Sequence, residues 1–484
     1  MQPLSRRRVM QQGLAASLAC GLSPSLPRLL AEEAAAEITD KPYVFELPAA
    51  GRIMPRPSKA IASSGLSVGF ETLDRQHFDP TKTYEPLSKL GVKWARCQTG
   101  WCRCEKEKGK YTFDWLDEVV DSLLAIGVQP WFNLGYGNQL YTPRADETAV
   151  GWAPIFDEEP RRAWVNFTRA IAEHFADRVK CWEIWNEPNI RGFWKPNKPN
   201  PEDYVALVKL TAPEIRQRVP EAVIIGGSYA GIPKNYIRDC FEQGLGDQID
   251  CLSYHPYRPQ PELGYEDIVQ YMRKIIDEHN PKIRLWQGEN GAPSKGGKGS
   301  AGALSNLNWS ETRQAKWLTR RILSDLRLDI ELTSYFHLVD LVGYRGITNY
   351  KGLLRGADYS PKPAFVAYQH LCALFDHDAK HDPALTLDLV DETKTHMLDA
   401  GFTRKGYALY AYWMPANLFE AWEARPIRLS LPHRADAQLQ KPVLIDPLTG
   451  KAYRLDASDR TDKTLTVQAP LLEYPLLITD QSLL

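Results

Sequence analysis

Eight short runs of β-branched and aromatic residues, each followed by a longer stretch with helical periodicity, constrain the fold most strongly. The runs are LSVGF (66–70), VKWARC (92–97), VQPWFNL (128–134), VKCWEIW (179–185), AVIIGG (222–227), QIDCLSY (248–254), KIRLWQG (282–288) and LTSYFHL (332–338). Apolar residues three and four apart in the intervening segments indicate amphipathic helices. Alternating strands and helices are typical of parallel βαβ units. The sequence therefore predicts the α/β class, with a (β/α)8 TIM barrel over 61–378.

The pattern changes after the barrel. Segments such as YALYAYWM and TLTVQAPLLEYPLLIT alternate with period two and are separated by turn residues such as DPLTG. This alternation predicts a β-sandwich domain over 379–484. Residues 37–60, rich in Pro and Ala, are predicted to be a linker, from which YVFEL (43–47) can add a strand to the sandwich.

The N-terminus has the features of an export signal. Three arginines at 6–8 precede a short apolar stretch from Gly13 to Leu22, and Ser5-Arg6-Arg7 resembles the twin-arginine type. We expect residues 1–36 to be removed, with cleavage after Ala31 or Ala36, and the protein to be periplasmic or extracellular. The apolar stretch is too short to span a bilayer. An ordinary amphipathic helix is the alternative, and Cys20 is a weaker candidate for lipid attachment because Leu18 lies one position too close for a usual lipobox.

Charge and cysteine usage limit the partners. The chain has 59 Lys and Arg against 60 Asp and Glu, so it lacks the basic surface that nucleic-acid binding requires. The spacing of Cys102 and Cys104 is not that of a zinc site, and no matching His or Cys pair follows. We expect no metal and no organic cofactor. The 14 Trp, 22 Tyr and 15 Phe residues can pack in a core or stack on sugars, and counting does not separate these uses.

Two glutamates end strands that face each other across the predicted barrel. Glu187 lies in WNEPN (185–189) after the fourth strand, and Glu289 lies in QGENG (287–291) after the seventh. Chemistry in such barrels occurs at the carboxyl ends of the strands. Paired carboxylates there are suited to glycosidic bond cleavage, and a separation of ~5–5.5 Å would favour retention of anomeric configuration. The two glutamates are therefore the predicted catalytic pair.

The run CWEIWNEPNIRGFW (181–194) resembles the fourth-strand motif of clan A glycoside hydrolases, especially the β-xylosidase and α-L-iduronidase family, family 39. The resemblance extends through WFNLGYG, YHPY and EYPLLIT. It implies a retaining double displacement in which Glu187 is the acid/base and Glu289 the nucleophile. The residues it implies for substrate binding are Arg96, Asn133, Asn186, His255, Tyr257 and Trp309.

Several of these residues have assigned roles and simpler alternatives. Arg96 and Tyr257 would donate hydrogen bonds to Glu289, and Asn186 would bond the sugar 2-hydroxyl. Arg96 can instead be only the partner of a buried structural Glu183, and His255 can be a packed core histidine. The aromatic residues near strand ends are either sugar platforms or core; they are Trp131, Tyr136, Trp194 and Trp309.

The sugar and the function class have alternatives. Family 39 has Thr-Glu at the nucleophile, whereas this chain has Gly288-Glu289, followed by a glycine-rich segment that is predicted to be a mobile lid. The first expectation is β-xylosidase-like action on an oligo- or polysaccharide of plant or algal type. α-L-Arabinofuranosidase, endo-glucanase, mannanase and uronidase activities stay open, as does the oligomeric state. A non-catalytic carbohydrate-binding barrel is a second class. A serine esterase is a third, although GGSYA (226–230) has Ala where the G-x-S-x-G elbow has Gly.

Overall fold

The computed structural model describes residues 43–390 and 396–484. The predicted signal at 1–36, including Cys20, lies outside the described residues. Within the described part, no helix is both long and apolar enough to cross a membrane.

Eight parallel strands close into a barrel in which each strand pairs with the next along the chain and the eighth pairs with the first. They are Leu66–Phe70, Trp94–Gln98, Gln129–Leu134, Cys181–Ile184, Val223–Ala230, Cys251–His255, Arg284–Asn290 and Leu332–Tyr335. All eight predicted strands are confirmed, with ends shifted by a few residues. The predicted TIM barrel is therefore confirmed, and below its strands are numbered one to eight in this order.

Helices follow each strand and surround the barrel. They are Tyr84–Leu90, Asp114–Ala125, Glu158–His174, Pro201–Arg218, Lys234–Glu242, Tyr265–His279, Glu311–Arg327 and Pro363–Leu374. An amphipathic helix packs on the barrel through its apolar face. In Glu158–His174 this face contains Trp164, Phe167 and Ile171, which lie three and four residues apart and are fully buried. A short helix, Trp101–Cys104, and a hairpin of Glu105–Glu107 with Lys110–Tyr111 follow the second strand.

Two antiparallel sheets form the C-terminal region and confirm the predicted sandwich. In spatial order the larger sheet contains Ala49–Arg52, Lys451–Arg454, Pro442–Ile445, Leu476–Asp480, Tyr407–Trp413, Leu398–Arg404 and Ala379–His381. The smaller sheet contains Asp388–Leu389, Arg425–Pro432, Thr464–Leu471 and Ala457–Ser458. Side chains from both sheets, such as Tyr412 and Val467, share one apolar cluster. The sheets therefore pack face to face.

The linker does add a strand to the sandwich, but not at YVFEL. Residues 43–47 are not in a strand, and the strand Ala49–Arg52 pairs with Lys451–Arg454 instead. Phe45 contributes through its ring, which stacks on Tyr453 with centroids 4.7 Å apart. This segment therefore contacts the sandwich through an aromatic side chain, whereas the sequence predicted that its backbone would pair with a strand.

The barrel interior changes from apolar to charged along its axis. One apolar cluster fills the end from which the strands start; its members are Trp131, Cys181, Ile225, Cys251, Trp286 and Leu332. Two residues further along strands three and four, the same inward face carries Asn133 and Glu183. Side chains two residues apart lie on the same face of a strand. A polar layer therefore lies above the apolar cluster, directly beneath the mouth at the carboxyl ends of the strands.

Candidate active site

Glu187 follows the fourth strand and is held by the fifth. Its backbone N–H donates to the carbonyl of Ser228 at 2.8 Å, and Asn189 exchanges two hydrogen bonds of 2.9 Å with Ala230. Glu187 has φ of 48°, a left-handed conformation that costs a non-glycine residue about 1–3 kcal/mol. Hydrogen bonds to the fifth strand therefore hold Glu187 in a backbone conformation that is unfavourable by itself. In this conformation the Glu187 carboxyl group contacts His255.

The predicted carboxylate pair comes together at the barrel mouth. One oxygen of Glu187, one of Glu289 and a ring nitrogen of His255 all lie within 4.8 Å of one another. His255 Nδ1 is 3.0 Å from Glu187 Oε1 and 3.8 Å from Glu289 Oε2. Each glutamate side chain is 12% exposed, so both reach solvent through the mouth.

Glu289 accepts hydrogen bonds on both oxygens. Arg96 Nη1 donates to Oε2 at 2.7 Å, and the Tyr257 hydroxyl donates to Oε1 at 2.8 Å. Burial raises the pKa of Glu289, but the charges of His255 and Arg96 and these two hydrogen bonds outweigh it and hold the pKa below its usual range. Glu289 is therefore ionised at neutral pH.

Arg96 is the centre of the polar layer. It is fully buried, and its Nε and Nη2 both donate to Glu183 Oε2, at 2.8 and 2.5 Å. Its Nη2 also donates to Asn186 Oδ1 at 2.8 Å. The two interpretations of Arg96 are thus both correct in geometry, because one guanidinium pairs with structural Glu183 and also reaches Glu289.

The contact with Arg96 orients Asn186 as a donor. Its Oδ1 is occupied by the guanidinium, and no described residue accepts from its Nδ2. The amide N–H groups are therefore available to a substrate hydroxyl.

Ser228 lies beside His255 in an arrangement that resembles part of a hydrolase triad. Ser228 Oγ is 3.1 Å from His255 Nε2, and His255 Nδ1 contacts Glu187. Ser228 is fully buried, however, and Arg96 Nη2 donates to its Oγ at 3.0 Å. A hydroxyl that is sealed and hydrogen-bonded to a cation is a poor nucleophile, so the serine esterase alternative gains no support from this contact.

Asn133 and Trp309 are buried and contact other protein groups. Asn133 is buried and donates to Glu183 Oε2 at 2.8 Å and to the carbonyl of Trp185 at 2.5 Å. Trp309 is 5% exposed, donates to the carbonyl of Leu304 and packs edge-on against Phe419. In this structure both side chains contact protein groups, and their sugar contacts stay predictions.

The other aromatic candidates are also packed. Trp131 belongs to the apolar cluster beneath Arg96, whose guanidinium carbon is 5.5 Å from its ring centroid. Trp194 is fully buried in the main core, and Tyr136, 3% exposed, lies edge-on to Trp185. Each has the core placement that the sequence left as an alternative.

Sequence reasoning missed Glu71, which follows the first strand. Glu71 is buried, and its Oε1 accepts from Arg96 Nη1 at 3.2 Å, the same nitrogen that donates to Glu289. Burial, opposed by the charge of Arg96 and assisted by that of Glu289, raises the pKa of Glu71 to about 8. The position of a carboxylate at a strand end could have indicated it, since Glu187 and Glu289 were found in that way.

His337 and Lys351, both after the eighth strand, were missed as well. His337 Nε2 is 3.0 Å from the carbonyl oxygen of Glu71, and burial lowers the pKa of His337 to about 4, so its ring is neutral. Lys351 is buried with its Nζ 5.5 Å from the ring centroid of Tyr257. Neither lies in a recognisable motif.

The spacing of Glu187, His255 and Glu289 would admit a cation, but the partners do not fit one. Both oxygens of Glu289 already accept from Arg96 and Tyr257, and the guanidinium charge opposes a second cation. The group Asp376, His377 and Asp378 is also close enough to ligate, yet Arg56 and Arg404 neutralise Asp376. Neither cluster has the uncompensated negative charge that a hard cation requires.

Comparison with known proteins addresses the family directly. The sequence profile of "Glycosyl hydrolases family 39" matches residues 87–282, which include strands two to six and Glu187. The family 39 resemblance is confirmed. The chain is 29% identical over 193 residues to a β-xylosidase of Geobacillus stearothermophilus, covering 37% of this chain and 36% of that protein. A β-xylosidase of Caldicellulosiruptor saccharolyticus is 22% identical over 299 residues, covering 54% of this chain and 56% of the relative.

These alignments span between about a third and just over half of the curated relatives. A solved structure of a family 39 glycoside hydrolase from Bacteroides cellulosilyticus WH2 superposes with a TM-score of 0.65 at 22% identity. It covers 87% of this chain and 81% of its own. At that identity the structural match establishes the shared fold.

Proposed function

We propose that this protein is a retaining glycoside hydrolase in which Glu289 is the nucleophile and Glu187 the acid/base. One observation carries the proposal: two carboxyl groups with oxygens within 4.8 Å face each other at the barrel mouth. One of them, Glu289, has its pKa held below the usual range by His255, Arg96 and Tyr257. This is the arrangement that double displacement at an anomeric carbon requires.

In the first step Glu289 attacks the anomeric carbon, and the bond to the leaving oxygen breaks. Glu187 gives that oxygen its proton, so the leaving group departs as a neutral alcohol and a glycosyl ester remains on Glu289. In the second step Glu187 takes a proton from water, and the water oxygen attacks the same carbon and releases Glu289. Two inversions give net retention.

The surrounding residues assist each charge change. Arg96 and Tyr257 bind Glu289 before attack and stay near its oxygens as its charge is lost and regained. His255 Nδ1, 3.0 Å from Glu187 Oε1, positions the acid/base. The Asn186 amide is available to the sugar 2-hydroxyl, a contact that strengthens in the oxocarbenium-like transition state.

The short separation favours retention over inversion. An inverting enzyme needs about 6.5–9.5 Å between its carboxyl groups so that water fits between them and the sugar. One oxygen of Glu187 lies within 4.8 Å of one of Glu289, which is closer to the ~5–5.5 Å separation of retaining enzymes.

For the sugar, a β-linked xylose is the first expectation, because two of the relatives that match are β-xylosidases. α-L-Arabinofuranosidase, endo-glucanase, mannanase and uronidase activities are alternatives, as is carbohydrate binding without catalysis. We also propose export through a twin-arginine signal at residues 1–36, on the Arg cluster and the short apolar stretch.

The test is a panel of aryl glycosides of pentoses, hexoses and uronic acids, with wild type, Glu289→Gln and Glu187→Gln. We expect wild type to hydrolyse at least one member and Glu289→Gln to lose more than ~1000-fold in kcat. Glu187→Gln should retain more activity on aryl groups that leave without protonation than on poor leaving groups. The control is Glu278→Gln, which removes an exposed carboxylate paired with Lys274. Turnover by Glu289→Gln at the wild-type rate would contradict the assignment.

A further inference from the structure

Lys351 is a buried cation that no described residue pairs with. It lies in the loop after the eighth strand, is 1% exposed, and no described residue accepts a hydrogen bond from its Nζ. Burying an ammonium group without a partner is costly. An unpaired buried ammonium at a candidate active site indicates that a bound ligand supplies the missing partner.

A second lysine from the same loop region shows the structural alternative. Lys362 is also 1% exposed, but its Nζ donates to Asp340 Oδ1 at 2.6 Å and to Ser294 Oγ at 2.7 Å. The fold therefore provides partners for a lysine that has only a packing role, and Lys351 lacks them.

The Nζ of Lys351 lies beside Tyr257, the tyrosine that donates to Glu289. It is 5.5 Å from the ring centroid of Tyr257, whose hydroxyl donates to Glu289. Burial lowers the pKa of Lys351 to about 7, and the charge of Glu289 opposes that shift, so the two groups interact electrostatically. Both oxygens of Glu289 already accept hydrogen bonds, from Arg96 at 2.7 Å and from Tyr257 at 2.8 Å, and neither accepts one from Lys351.

A second donor lies beside Nζ. A Cβ added at Gly302 would be 2.7 Å from Lys351 Nζ and 2.8 Å from Asn349 Nδ2, so both nitrogens approach one point under the loop that follows the seventh strand. Asn349 is 3% exposed, and its Oδ1 accepts from the backbone N–H of Lys351 at 3.3 Å, which directs its Nδ2 away from that contact. No described residue accepts from this Nδ2. Two adjacent donors without an acceptor favour an anionic group.

We propose that Lys351, assisted by Asn349, binds an anionic substituent, a carboxylate or a sulfate, on the sugar that Glu289 attacks. This inference rests on the proposed glycosidase function and specifies its substrate class. Lys351 is then a specificity residue, since its ammonium contacts the sugar substituent and takes no part in bond cleavage. A neutral sugar would leave the buried ammonium without a partner. The enzyme would therefore favour an acidic sugar over its neutral analogue.

The first test uses matched pairs of aryl glycosides that differ only in an acidic substituent: β-xyloside with β-glucuronide, β-galactoside with β-galacturonide, and α-idoside with α-iduronide. We expect wild type to prefer the acidic member of at least one pair. Lys351→Met should lower kcat/KM for that member by about 10- to 100-fold, the effect of one charge-assisted hydrogen bond, and leave the neutral member within ~3-fold. Lys295→Met is the matched control, because Lys295 is exposed and lies 5.4 Å from the ring of Tyr350.

The outcomes separate the two proposals. If wild type hydrolyses only neutral members and neither glucuronate nor sulfate raises its Tm, or if Lys351→Met lowers both members of a pair alike, the anion inference is wrong and the glycosidase proposal stands. If wild type hydrolyses no member, the glycosidase proposal fails.

A binding measurement then tests Lys351 independently of turnover. D-glucuronate and inorganic sulfate are titrated separately, with D-glucose as the neutral control, and Tm is measured below pH 7. We expect at least one anion to raise the Tm of wild type and of Lys295→Met but not that of Lys351→Met, and the responding anion identifies carboxylate or sulfate. An equal rise in Lys351→Met, or none in wild type, would overturn the inference.

Discussion

Arg96 Nη1 donates to Glu289 at 2.7 Å while the same guanidinium is bound to Glu183, so the proposed nucleophile is attached to the structural core of the barrel. A group held in this way keeps its position when its charge changes. The second hydrogen bond to Glu289, from the Tyr257 hydroxyl, can be removed without leaving a buried cation unpaired.

Tyr257→Phe should impair catalysis without unfolding the protein. The change removes the hydrogen bond to Glu289 Oε1, and kcat/KM should fall by about 10- to 100-fold. Because this bond helps to lower the pKa of Glu289, the acid limb of kcat/KM should move to higher pH. Tyr271→Phe, at a half-buried tyrosine whose hydroxyl contacts Arg238 and Lys234, is the control. An unchanged acid limb would show that Tyr257 does not set the ionisation of Glu289.

Glu71→Gln should remove a pH dependence of stability. The pKa of Glu71 is raised from 4.5 to about 8, so between these values the folded state keeps a proton that the unfolded state has lost. The free energy of unfolding of wild type therefore falls as pH rises through this window, and the Gln variant lacks this contribution. Denaturant unfolding at several pH values should show that the free energy of unfolding of the variant, relative to that of wild type, increases as pH rises. A constant difference would contradict the protonated state of Glu71.

Lys351→Met should not destabilise the protein. The pKa of Lys351 is lowered from 10.5 to about 7, so wild type carries the full cost of the buried charge below pH 7 and loses it between about 7 and 10.5. The variant should have an equal or higher free energy of unfolding, with the largest gain at low pH. A loss of stability at all pH values would indicate a packing role for Lys351.

Ser228→Ala separates the glycosidase from the esterase. Ser228 Oγ contacts Arg96 and His255, so its loss should cost about 1–2 kcal/mol of stability. Glycosidase activity should stay within ~10-fold of wild type, since the lost contacts are with Arg96 and His255 and none is with Glu187 or Glu289. Aryl acetate hydrolysis should be equal in both proteins. Loss of ester hydrolysis in Ser228→Ala alone would revive the esterase alternative.

The sequence predicted the barrel strands because their signal is local. Each run of β-branched and aromatic residues lies between turn residues, and all eight runs fold as strands. Strand ends were less predictable, since they depend on neighbouring strands: LTSYFHL ends as a strand at Tyr335, and His337 turns to contact the carbonyl of Glu71. The linker strand was misplaced for a related reason, because the ring of Phe45 packs on Tyr453 while Ala49–Arg52 pairs.

The site could be predicted only where chemistry coincides with a strand end. Glu187 and Glu289 satisfied that condition, and the structure brings them together. Lys351 did not, because its significance depends on burial and on a missing partner, which exist only in the folded chain. Trp309 shows a limit of a different kind: its position near a strand end suggested a sugar platform, but the sequence did not indicate that Phe419, from the C-terminal region, packs edge-on against its ring.

The most direct test of the account is the configuration of the first sugar released. Proton NMR should follow wild-type hydrolysis of whichever aryl glycoside is turned over, at times short compared with mutarotation. With Glu187 and Glu289 oxygens within 4.8 Å, the account predicts that the first-formed product has the anomeric configuration of the substrate. A first-formed product of opposite configuration would contradict it.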